Sequence, residues 1–146
     1  LWALGVVAEV VLFALMPRLL ECFSLRGILL VSLALCVLRW SLTAWFTEQL
    51  MVMLFAQLLH AATFGSVHAV GIALVQHYFS PSTQGRGQAL FSSLGFGAGG
   101  ALGAVLAGQL WNDWGAQTFV LAVGVSVLAI VLASIWIYPE KAQQNS

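Results

Sequence analysis

Residues 50–77, LMVMLFAQLLHAATFGSVHAVGIALVQH, decide the fold. The run holds no Asp, Glu, Lys or Arg over 28 residues, and about 20 predominantly apolar residues suffice to cross a bilayer. Its polar side chains are not scattered. At about 100° per residue, Gln57, His60, Phe64 and His68 stay within an arc of about 80°. A helix here therefore carries one polar stripe on an apolar cylinder. Such a stripe belongs against protein or water and not against lipid.

Four further apolar segments flank it, at about residues 1–16, 28–46, 88–110 and 116–138. The spacing predicts an all-α, polytopic transmembrane bundle of five spans. Composition agrees: 61% of the 146 residues are hydrophobic and 7% charged, against about 25% charged in a soluble domain. Mean hydropathy is +0.97. Net charge is zero with the basic residues dispersed, which leaves no footprint for nucleic acid. The breaks carry turn chemistry at Ser24–Gly27, Thr47–Gln49, Ser80–Gly85 and Asn112–Gly115, and Pro17, Pro81 and Pro139 are expected at segment ends.

Basic residues in short loops set orientation. Arg18, Arg26, Arg86 and Lys141 fall on one side; Glu48 and Asp113 fall on the other, with no Lys or Arg. The loops near 17–27 and 79–87 and the tail 139–146 are thus expected to be cytoplasmic, in a cell inner membrane. Trp45, Trp111 and Trp114 would form the outer aromatic belt, and Tyr78, Trp136 and Tyr138 the inner one. Leu1 already lies inside an apolar run with no signal-peptide features before it, so the chain is expected to be a piece of a longer protein.

Eight of the 14 glycines lie between Gly85 and Gly108. Gly95, Gly99 and Gly103 repeat every fourth residue, a pattern that lets helix backbones approach closely, and helix packing is the role expected of them. Glu9, Arg39, His60 and His68 stand out for a different reason. Each is ionisable inside an apolar span, where a charged residue costs roughly 2.5–3.5 kcal/mol on insertion scales. An acid, a guanidinium and imidazoles on successive helices suit binding and proton movement, with Gln57 on the same stripe as the histidines. An inward Glu9–Arg39 ion pair is expected, so that protonating Glu9 would release Arg39.

Other chemistries lack their residues. There is no H-E-x-x-H, no G-x-S-x-G elbow and no phosphate-binding P-loop. Cys22, placed in a loop, and Cys36 show neither metal nor redox spacing and are expected as free thiols. No enzyme, metal or cofactor is expected.

The chain resembles the C-terminal half of a major facilitator superfamily transporter, in the branch of lactose permease and the 3-phenylpropionate transporter. The resemblance rests on Leu1–Val10 around Glu9, on Leu38-Arg39-Trp40, and on Gln57-x-Leu59-His60-x-x-Thr63-Phe64 followed by His68. The Gly85–Gly108 region and Trp114-Gly115 fit it as well. It implies helices eight to twelve of a twelve-helix fold, with the N-terminal half and helix seven absent. It also implies that Glu9, Arg39 and His60 serve substrate binding and proton coupling. Thr63 stands where lactose permease carries a second carboxylate, so neither that proton carrier nor lactose is implied. The implied activity is proton-coupled symport of a small solute, with an aromatic carboxylate like 3-phenylpropionate first. A sugar or nucleoside symporter and a non-transporting membrane remnant or subunit are the alternatives. The implied partners are the solute, protons, the lipid bilayer and the missing half.

Overall fold

In the computed structural model, residues 2–137 are described, Trp2 by its backbone alone. Helix α1 spans Trp2–Cys22, α2 Leu25–Trp45 and α3 Leu50–Tyr78. A fourth stretch begins as α4, Gln84–Ser92, widens into a π-helical turn at Ser93–Ala98 and continues as α5, Gly99–Trp114. A 3₁₀ turn, Gly115–Phe119, leads into α6, Val120–Trp136. No β-strand occurs among the described residues.

Local sequence explains the boundaries. Ser24 caps α2, its hydroxyl accepting from the Gly27 amide at 3.1 Å. Pro81 sits in the turn after α3, where the Ser80 carbonyl accepts from the Thr83 and Gln84 amides at 2.8 and 3.0 Å. Gly115 ends α5 with φ 53°, a backbone region that a Cβ disfavours.

By length and hydropathy, Ala3–Cys22, Leu25–Trp45, Leu50–Tyr78 and the 53-residue stretch Gln84–Trp136 can each cross a membrane. Contacts divide the last of these into two passes. Phe91 rests on Gly71, Phe96 meets Phe64, and Trp111 meets Phe119, so α4–α5 runs antiparallel to α3. Phe119 stacks on Trp40 while Arg26 bonds the Ser134 carbonyl, so α6 returns antiparallel to α2. Helix α3 lies between α1 and α2, and α2 lies between α3 and α6.

Small residues make these contacts. Ala44, Ala56, Ala61, Thr63, Ser66 and Ala133 are buried. A Cβ on Gly65 would come within 2.6 Å of Leu12, and one on Gly71 would enter the Phe91 ring. Close backbone approach of this kind holds helices together where lipid removes the hydrophobic drive. Large apolar side chains point outward instead: Met51 is 76% exposed and Val125 67%. Intramembrane hydroxyls bond carbonyls of their own helices, as Ser41 does with Val37, Thr43 with Arg39 and Ser126 with Ala122.

Several boundaries differ from those expected. Pro17 lies inside α1, which runs on to Cys22, so the loop before α2 shrinks to Phe23 and Ser24. The ring fits because it falls little more than a turn from the helix end, where one missing N–H is a small loss. Cys22 is therefore helical, and it and Cys36 are free thiols. Asn112 and Asp113 belong to α5, and the break comes at Gly115. Tyr138, Pro139, Lys141 and the rest of the tail lie outside the described residues. Gly95 and Gly103 face open space, and a Cβ on Gly99 would meet only the Leu94 carbonyl. Among the described residues, no second helix occupies that face.

Candidate functional site

Arg39 on α2 and His60 on α3 face each other where the two antiparallel helices pack. The Arg39 Nη1 lies 2.9 Å from His60 Nδ1. On the other side of the imidazole, Nε2 lies 3.4 Å from Oε1 of Glu9 on α1. The side chains are partly enclosed, His60 at 35% exposure and Glu9 at 21%. Three helices thus contribute one group each to a row, Glu9–His60–Arg39.

The protonation pattern of that row follows from donor inventory. A guanidinium can only donate, so His60 Nδ1 must accept. Neutral His60 then carries its proton on Nε2, directed at the Glu9 carboxylate. The expected Glu9–Arg39 ion pair does not form; among the described residues, Glu9 pairs with His60. Helix α3 lies between α1 and α2, and its imidazole fills the space that a direct pair would need. Arg39 therefore answers to protonation of His60, and the expectation that it answers to Glu9 is corrected.

A cavity of about 340 Å³ opens on this row. Gly5, Glu9, Arg39, Trp40, Thr43, Met53, Gln57, His60 and Phe119 are among its lining. Gln57 reaches it by lying close over Gly5, where an added Cβ would come within 3.2 Å of the amide oxygen. The Arg39 guanidinium sits 3.9 Å over the Trp40 ring, an arrangement that favours a cation. The opposite face of Trp40 stacks on Phe119, with centroids 5.1 Å apart and planes 16° from parallel. The Arg39 Nε is buried without a hydrogen-bond partner.

Of the residues singled out in the sequence, Glu9, Arg39, His60 and Gln57 meet in this cavity and His68 does not. Phe64 separates the two histidines: His60, Phe64 and His68 stack in a column along α3, at 5.6 and 6.3 Å. His68 lies among Phe13, Phe64, Phe91 and Phe96, with Nδ1 buried and unpartnered. Among the described residues, no group of three His, Cys, Asp or Glu could hold a metal ion. Sequence reasoning missed Thr43 and Phe119 as lining. Thr43 lies one turn from Arg39, which is a usable signal. Phe119 comes from the far end of the chain and reaches the site only through the return of α6 along α2.

Residues 1–122 match the model of the MFS_1 like family. The chain belongs to this family. With the apolar helices, membership in the MFS_1 like family makes it a multi-pass membrane protein of the major facilitator superfamily. It is 34% identical over 136 residues to the "Probable 3-phenylpropionic acid transporter" of Escherichia coli (strain K12). That alignment covers 90% of the chain and 34% of the relative, so the chain spans about a third of the length of the curated relative it matches. No solved structure matches the chain significantly.

Proposed function

We propose that this MFS_1 like protein contributes the substrate and proton site of a symporter for a small organic carboxylate. An aromatic acid resembling 3-phenylpropionate is the leading substrate. The observation that carries the reading is His60 held between Arg39 and Glu9. In that state Arg39 is engaged by the imidazole lone pair. A proton arriving at Nδ1 removes the acceptor, turns the ring into an imidazolium facing Glu9, and frees the guanidinium for a substrate carboxylate. Proton and anion then occupy the site together, and neither alone leaves it balanced.

The cavity is open on one side, which suits a binding site shared with a second helical half, as in transporters built from repeats. The end carrying Arg18, Arg26 and Arg86 is assigned to the cytoplasm by the charge rule. An inner-membrane location follows from the same reading. The relative's name is the support for an aromatic acid; Arg39 beside Trp40, Met53 and Phe119 supplies the matching chemistry.

The test is uptake of labelled 3-phenylpropionate by cells expressing the complete reading frame that contains this chain, with and without a protonophore. Protonophore-sensitive uptake, abolished in Arg39→Ala, is the expected result. Absence of uptake by protein shown to reach the membrane would reject this substrate and leave sugars and nucleosides to be assayed. Uptake indifferent to the protonophore would reject proton coupling.

A further inference from the structure

We infer that Phe119, on the turn between α5 and α6, is a positioning residue for the anion site, acting on Arg39 through Trp40. The inference rests on the carboxylate-binding reading of that cavity.

Both faces of the Trp40 indole are occupied. Arg39 lies over one face, 3.9 Å from the centroid, and Phe119 stacks on the other at 5.1 Å and 16°. A ring clamped in this way has little freedom to turn. The guanidinium on its surface is therefore held flat, with Nη1 directed at His60. Arginine recognises carboxylates through a planar fork, so the orientation of that plane governs how well an anion is bound. Without Phe119, Trp40 could rotate and the fork would lose its fixed aim, while its charge would remain.

The same residue ties the site to α5. The described part of α5 makes no packing contact with α1, α2, α3 or α6. Its route into the bundle at this end is the Gly115–Phe119 turn, which packs on α2, and the Trp111 ring set edge-on to Phe119 at 6.2 Å. A stack Trp111–Phe119–Trp40–Arg39 thus runs from the free helix to the guanidinium. A tilt of α5 that pulls on Gly115 moves Phe119, and with it the plane that receives the carboxylate. Phe119 itself lines the cavity, so the stack borders the space a ligand would fill.

A residue that only packs would affect all ligands alike. One that orients Arg39 would affect anions selectively. The experiment therefore compares binding of 3-phenylpropionate with its uncharged amide, in purified full-length protein, for wild type, Phe119→Ala, Phe119→Leu and Phe119→Tyr. Phe119→Ala and Phe119→Leu are expected to weaken the acid by about three- to tenfold, the span of one aromatic pair, and to leave the amide within about twofold. Phe119→Tyr, which keeps the stack, restores the preference. In an Arg39→Ala background the Phe119 changes should have no further effect on the acid, because coupled residues are not additive. Phe119→Leu keeps apolar bulk and serves where Phe119→Ala fails to fold. A wild type with no preference for the acid rejects the carboxylate site itself. A wild-type preference that survives in Phe119→Leu, or equal losses for acid and amide, overturns the positioning role.

Discussion

If a proton on His60 Nδ1 frees Arg39, substrate affinity must fall as pH rises through the histidine's titration, and replacing His60 must flatten that dependence. The bond at stake joins Arg39 Nη1 to His60 Nδ1 at 2.9 Å in a partly buried setting. A hydrogen bond with one charged partner contributes about 1.5–3 kcal/mol, and about 1.4 kcal/mol is a factor of ten in affinity. Substrate should therefore bind about 10- to 150-fold more tightly once the imidazole is protonated. His60→Gln keeps an acceptor for Arg39 and cannot take up a proton, so its affinity should be weak and flat. His60→Ala removes the acceptor, so its affinity should be stronger at high pH than that of wild type, and also flat. Calorimetric titration of 3-phenylpropionate into purified full-length protein between about pH 5 and 8, where imidazole changes charge, reads both variants. The groups facing the ring are Glu9 on α1 and Arg39 on α2. Glu9→Gln is therefore the necessary control, and it should shift the profile without abolishing it. A His60→Gln protein that keeps the wild-type pH ratio would refute the switch. If Glu9→Gln alone flattened the profile, the proton would belong on Glu9.

Arg39→Lys should bind the acid about tenfold less well than wild type and Arg39→Ala less well still, since an ammonium cannot reproduce the planar fork; competition binding checks the order. Gly71→Leu should lower thermal stability by about 1–3 kcal/mol, because its side chain would enter the Phe91 ring, and Phe91→Ala in the same protein should recover part of the loss. Arg26→Ala should cost about 0.5–1.5 kcal/mol by removing the 2.7 Å bond to the Ser134 carbonyl in the last turn of α6, read as a small drop in melting temperature with unchanged affinity. Pro17→Ala should raise stability modestly by restoring one backbone bond inside α1.

The sequence told most about what depends on period and least about what depends on register between distant helices. The stripe Gln57–His60–Phe64–His68 was readable because helical spacing alone puts those residues on one face, and the stacked column along α3 has that geometry. That His60 lies with Glu9 and Arg39 while His68 lies among phenylalanines was not readable. It depends on where Phe91 and Phe96 fall, and the π turn at Ser93–Ala98 alters that. Phe91 and Phe96 are five residues apart, which on an α-helix separates them by roughly 140°. A π turn closes i→i+5 and brings such residues to one side, and the rings meet at 5.8 Å. No composition signal marks that turn beyond its glycines. The end of α1 was misjudged because Pro17 was taken as a stop, whereas a proline near a helix end can simply be carried.

The row Glu9–His60–Arg39 also explains why the polar set is spread over three helices and not placed on one. Residues a turn apart on one helix keep a fixed separation, so their bonds cannot be exchanged without unwinding backbone that lipid will not hydrate. Groups on separate helices can trade partners through small shifts of rigid elements. The helices here permit such shifts: α1 and α2 scarcely touch each other, and each packs on α3 instead. His60, on the shared helix, is the one group that reaches both neighbours. A proton there changes what α3 offers to α2, and the change is local and reversible. Arg39 in turn is clamped through Trp40 to the turn that bears α5. Loading the guanidinium with an anion therefore alters the fit of two helix contacts at once. A two-state element biased by both proton and substrate is what coupling requires, and this bundle holds its parts within one cavity wall.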